Sequence, residues 1–177
     1  MADLNLGTYS PEDMIAVLTG DGTEGTYTHA LSAWAEGTFV TIERQMPSSV
    51  LVQGATRNGA GRIFRSNKGA SVSFSILQFA NDNDVLSAIW KADADSRDSK
   101  YLFNMILVDG TGRSVFHCNQ CYIENIPTIT FGSEAESRTW VVHALELDQY
   151  VGGNAKIPTD VVETLAKLGV NVAERWV

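Results

Sequence analysis

The alternation of apolar and polar side chains is clearest at residues 70–79, "ASVSFSILQF", where Val72, Phe74 and Ile76 take one parity and Ser71, Ser73 and Ser75 the other. A period of two marks a strand with one dry and one wet face. Residues 38–46, "TFVTIERQM", repeat the pattern, with Val40 and Ile42 set against Thr41 and Glu43. Further strands are expected at 14–20, 27–34, 101–108, 113–124 and 137–147, with turns at "GDG", "AEG" and "DGTG". After a break at Pro127, "TITF" reads as one more short extended piece. Residues 81–96 switch to helical spacing: Val85, Leu86, Ile89 and Trp90 share one side, and Asn and Asp residues are placed to cap the start.

About seven strands and one helix predict a mainly β chain, an antiparallel β-sandwich or barrel with a single core-flanking helix. Residues 151–158, "VGGNAKIP", read as a hinge. A short amphipathic helix follows at 159–170, with Thr159 or Asp160 as its cap, and then a tail. The expected division is a β domain over 1–153 and a C-terminal helical extension over 154–177.

One stretch does not belong to a core. In "LVQGATRNGAGRIFRSNKG", residues 51–69, the chain rises through Val50 and Val52, turns through Gly54, Arg57, Asn58, Gly59 and Gly61, and returns from Arg62. Asn58, Gly59 and Gly61 tolerate the positive φ that a hairpin tip requires. The result is a long protruding hairpin with almost nothing at its tip to bury.

Hydrophobic residues make up 44% of the 177 residues and charged residues 19%, which fits an ordered globular chain. The net charge of −8 argues against a surface built to grip phosphate, although it does not forbid contact with DNA, since a surface past which DNA must slide should not grip it. No basic and apolar leader opens the sequence and no segment reaches about 18 apolar residues, so a soluble chain made in the cytoplasm, without membrane insertion, is expected. Cys118 and Cys121, in "HCNQC", raise the question of zinc, with His143 further on. In a regular strand the two sulfurs would point to opposite faces, so buried small residues are the expected reading, with a cross-subunit disulfide a lesser one. Neither "GxSxG" nor a phosphate loop ending in GK[ST] is present, and His29, His117 and His143 lie singly in strand-like stretches. The expectation is therefore a protein without catalytic residues, metal or cofactor.

In order along the chain, "LGTYSPEDMIAVL", "WAEGTFVTIERQ", "GRIFRSNKGASVSFSILQ" and "NDVLSAIWKAD" resemble bacteriophage tail tube proteins, especially those of contractile tails; "LFNMILVDGTG" and "SRTWVVHALEL" extend the likeness more loosely, over roughly residues 3–150. The resemblance implies a structural virion protein, assembled in the host cytoplasm, whose homohexameric rings stack into a tube for DNA ejection. It implies that the hairpin residues Val50, Val52, Gly54, Arg57, Asn58, Gly59, Gly61 and Arg62 reach the next ring. Thr41, Glu43, Ser71, Ser73 and Ser75 would then face the lumen. The implied partners are other copies of the chain, tail sheath, tape-measure, baseplate and tail terminator proteins, and passing genomic DNA held without specific binding. Tube subunits of contractile secretion or injection devices are similar, and a non-enzymatic virion binding module is a further alternative.

Overall fold

The computed structural model describes residues 6–56 and 58–177. After a 3-10 turn at Pro11–Asp13 come β1 (Met14–Gly22), β2 (Gly25–Leu31), β3 (Val40–Arg44), β4 (Ser49–Gln53), β5 (Ala60–Phe64) and β6 (Ala70–Leu77). Then follow α1 (Asp82–Ser96), β7 (Phe103–Asp109), β8 (Val115–Ile123), β9 (Ser137–Tyr150) and α2 (Thr159–Lys167). Seven strands form one antiparallel sheet in the order β2-β1-β7-β8-β9-β6-β3, and β4 and β5 pair only with each other. The mainly β architecture with one core-flanking helix, a separate hairpin and a C-terminal helix is the one the alternation predicted.

The sheet rolls up until its two ends meet. Beyond β2 the chain runs along β6: Leu77 N–H donates to Ala33 O, Ala35 N–H donates to Ser75 O, and Trp34 bridges Ile76. The enclosed core holds Leu18, Val72, Phe74, Ile76, Phe103, Met105, Leu107, Trp140 and Val142, all essentially without solvent exposure. Helix α1 adds Leu86 and Ile89 to it. Strand β1 crosses the core with Gly20, where a Cβ would stand 2.7 Å from the Tyr27 hydroxyl and 2.9 Å from the Phe103 Cβ. A side chain there would force both neighbours to shift.

The junction between sheet and helix is polar. Asp82 is only 4% exposed, yet its carboxylate is satisfied: Oδ2 accepts from Ser32 N–H (3.0 Å) and Ala33 N–H (3.2 Å), and Oδ1 from His29 Nε2 (2.7 Å). Asn83 beside it donates to Leu77 O and Ala80 O and accepts from Trp140 Nε1. These two residues turn away from the start of α1, so the expected side-chain cap does not form; the cap residue, Asn81, makes none either. The same carboxylate explains why the strand expected over 27–34 is regular only to Leu31, since two of the next amide groups are bonded to Asp82.

Other departures are local. The "TITF" stretch is irregular, because β8 and β9 already have strands on both sides and leave it no edge to join. Helix α2 stops at Lys167 rather than continuing to 170, because Gly169 adopts a left-handed φ of 81° and Val170 N–H folds back to Leu165 O. Neither Thr159 nor Asp160 caps it; Pro158 precedes the helix, and its carbonyl accepts from Val161 and Val162. The chain after Tyr150 is tied back to the sheet by Ser114 with Gly152, Asn154 with Asp109, and Arg113 with Ala155 O and the Trp176 ring.

Removing the Asp82 carboxylate would leave two amide groups and the imidazole without their acceptor. Asp82→Ala should lower the stability of the free subunit by about 3 kcal/mol, read from the midpoint of urea unfolding with the slope unchanged.

Candidate functional site

Strands β4 and β5 form a ribbon with Val50 opposite Ile63, Leu51 opposite Arg62 and Ser49 opposite Phe64. All of β5 is exposed, and Leu51, Val52, Ile63 and Phe64 are 65%, 47%, 54% and 71% exposed. One face of the ribbon presents Val50, Val52, Gly61 and Ile63, and the other Leu51, Arg62 and Phe64, with the Arg62 guanidinium 4.3 Å from the Phe64 ring centre. The tip closes through Gly54 and Gly59, whose backbones bond; Asn58 is exposed, and Arg57 lies outside the described residues. The root is fixed by Gln45 N–H on Gly69 O and by Leu147 N–H on Lys68 O. A two-stranded ribbon with both faces in water is at best marginally stable.

Beside the root, Thr41 lies opposite Ser73 and Glu43 opposite Ser71 across β3 and β6, while Ser75 pairs with Thr139 of β9. All five expected wet-face residues therefore share the outer side of one sheet region. Thr41 and Glu43 are exposed, the serines are half-buried, and Ser75 Oγ lies 2.9 Å from Thr139 Oγ1. Val72, Phe74 and Ile76 face the core, and Val40 and Ile42 pack against its edge. His143 borders the hydroxyl face, bonded to Glu124 Oε2 (2.8 Å) and Gln45 Nε2 (3.2 Å) and stacked on Tyr122.

A groove that the sequence reading missed lies between Pro11–Ile15 and the segment 30–39, with a volume of about 860 Å³. Met14, Ile15, Trp34 and Phe39 give it an apolar floor, and Glu12 and Glu36 stand among its lining residues. Trp34 stacks on Phe39 and donates its indole N–H to Met14 O. The signal was distributed over two stretches that come together only when the sheet closes.

The cysteine geometry overturns the expectation of opposite faces. Gln120 takes a left-handed φ of 52° and its N–H is bonded to Asn104 Oδ1, which inserts a bulge in β8. The extra residue turns Cys121 to the same side as Cys118, and both sulfurs lie in the core, with Cys121 Sγ donating to Cys118 O. Their burial also removes them from reach of a neighbouring subunit. His143 occupies the outer face, so "HCNQC" and His143 do not converge. The hydrogen bond with Cys118 and then burial push the Cys121 thiol well above its ordinary range. Burial first, and then the Asp21 charge, push Tyr27 up to about 12.

These surfaces comprise an arm, a hydroxyl face bordered by His143, and an apolar groove. At the level of the fold, the chain is similar to the tube-terminating cap of the anti-feeding prophage, with a TM-score of 0.50, 10% identity, 85% of this chain and 99% of that one covered. In sequence it is 30% identical over 169 residues to Structural protein ORF10 of Pseudomonas phage KPP10, with 96% of each chain covered. The chain belongs to this family of phage structural proteins. No protein-family model matches it.

Buried thiols react only when the protein opens. Cys118 and Cys121 should therefore label with a disulfide reagent at the unfolding rate in buffer and within seconds in urea, followed by absorbance.

Proposed function

We propose that the chain is a tail tube subunit, a non-enzymatic virion component whose hexameric rings stack into the channel for DNA ejection. The carrying observation is the β4–β5 ribbon, which exposes Leu51, Val52, Ile63 and Phe64 and has no core of its own. Such a ribbon is stabilised when a second surface covers it, and a repeated arm-to-neighbour contact with a rise and a twist generates an open stack. Membership of a phage structural family supports a place in the virion, and the likeness to a tube-terminating cap supports the tubular setting.

In this reading Thr41, Glu43, Ser71, Ser73 and Ser75 line the lumen. Small hydroxyls and a carboxylate give passing DNA few cationic anchors, so friction is low. Sheath, tape-measure, baseplate and terminator proteins are the corresponding partners along and around the tube. The cap likeness favours a second reading, a ring that ends a tube rather than extends it. A tube subunit adds ring upon ring as concentration rises, whereas a cap stops at one ring.

Replacing residues 55–61 by a two-residue turn should leave a soluble subunit with unchanged circular dichroism, because that tip is exposed throughout its described residues. Electron microscopy should then find no tubes at concentrations where the parent forms them; normal tubes from the shortened chain would remove the arm from stacking.

Glu43→Lys tests the lumen. The change moves the local field by two charges per subunit on an exposed side chain, so assembly should proceed while DNA ejection slows at low salt and recovers as salt screens the new cations. Ejection unchanged at both salts would place Glu43 away from the channel, and failure to assemble would place it at a subunit contact.

A further inference from the structure

Charge is segregated along this chain. Residues 1–43 contain seven carboxylates and no lysine or arginine, whereas residues 44–81 contain Arg44, Arg57, Arg62, Arg65 and Lys68 and no carboxylate at all. The structure turns this sequence boundary into a spatial one. The second block builds the arm and its root together with β6, and the first builds β1, β2 and nearly all of the groove under Trp34. Among the described residues that line that groove only Leu77 comes from elsewhere, and none is basic.

We propose that the groove between Pro11–Ile15 and 30–39 is the seat for the arm of a second copy of this chain; the assignment rests on the tube reading above and names the surface that the arm meets. Two properties match. The groove offers an apolar floor with Ile15 48% exposed, and one face of the arm carries Val52 and Ile63, 47% and 54% exposed. Glu12 and Glu36 stand on exposed positions of the groove, and Arg62 and Arg65 on exposed positions of the arm. Within its own subunit Lys68 already meets a carboxylate, at 3.3 Å from Glu146, whereas Arg62 lies over the Phe64 ring and Arg65 against the Met46 sulfur, neither of them neutralised there among the described residues. The exposure of the whole of β5 means that a subunit's own groove does not receive its own arm, so the contact is between copies.

Opposite charges at the edge of an apolar contact steer association and fix register more than they add affinity. The arm–groove contact therefore discriminates by sign. A second arm is rejected, since it is equally cationic, and an acid-rimmed apolar seat is accepted.

A charge exchange tests this. Arg62→Glu with Arg65→Glu on the arm, and separately Glu12→Lys with Glu36→Lys at the groove, should each raise the concentration needed for polymerisation about tenfold or more, and the chain carrying all four changes should recover most of that loss. Sedimentation and electron microscopy give the readout, with circular dichroism checking each fold. Independently, Ile63→Cys mixed with Ala30→Cys should yield intermolecular disulfide-linked pairs under oxidation, whereas Ile63→Cys mixed with a cysteine on α2, Glu163→Cys, should not. If the parent forms tubes but the groove exchange is silent, the fourfold variant stays as poor as the worse parent, or the arm links to α2 instead, the seat is wrong while the tube reading stands. A parent that remains monomeric at all concentrations overturns both.

Discussion

Closure of the sheet is the constraint on which the remainder depends. A seven-stranded sheet of this order ends in β2 on one side and β3 with β6 on the other, and the core is sealed only when those ends meet. The seam is short, consisting of residues 33–35 against β6, and it is held at its weakest point by one buried carboxylate that gathers Ser32, Ala33 and His29. An aspartate at this place costs desolvation, which three hydrogen bonds offset. Because Asp82 also begins α1, the same residue sets where the helix lies over the core and where β2 must stop. The groove beneath Trp34 is the outside of that seam.

How far the sequence could be read follows from where each determinant sits. Strands with one wet face were legible because their alternation is local: 70–77 and 40–44 place Val72, Phe74 and Ile76 inward and Thr41, Glu43 and the serines outward as the parity required. The hairpin was legible because Asn and Gly mark its tip and nothing in it can form a core. The direction of Asp82 and Asn83 was not, since both are ordinary capping residues until β2 and Trp140 arrive from 50 and more positions away. The facing of Cys121 depends on a non-glycine residue, Gln120, in a left-handed conformation, a choice no local pattern announces. "TITF" has the composition of a strand and fails for want of a free neighbour, a property of the whole sheet rather than of the segment. The groove was invisible for the same reason, since its two walls lie some twenty residues apart.

The molecule divides its surface by chemistry. A hydroxyl-rich outer face spreads over β3, β6 and β9, a cationic ribbon stands on the ends of β3 and β6, and an acidic, apolar seam lies along β1 and the end of β2. Each uses residues that the core does not need, so the closed sheet is a scaffold on which surface chemistry can vary without altering the fold. The bulge at Gln120 works in the opposite sense, recruiting into the core a residue that simple alternation would have spent on the surface.

A free ribbon brings a hazard as well as a use. Both of its outer edges carry unpaired backbone donors and acceptors, and edges of this kind invite a second ribbon of the same sequence to add on, the first step of sheet aggregation. With four arginines and a lysine and no acid across the arm and its root, two such ribbons laid edge to edge would bring like charges together along their length. The absence of any carboxylate between Arg44 and Asn81 therefore opposes that pairing in the free chain. It would keep free chains dispersed without hiding the apolar side chains that the proposed stacking would bury.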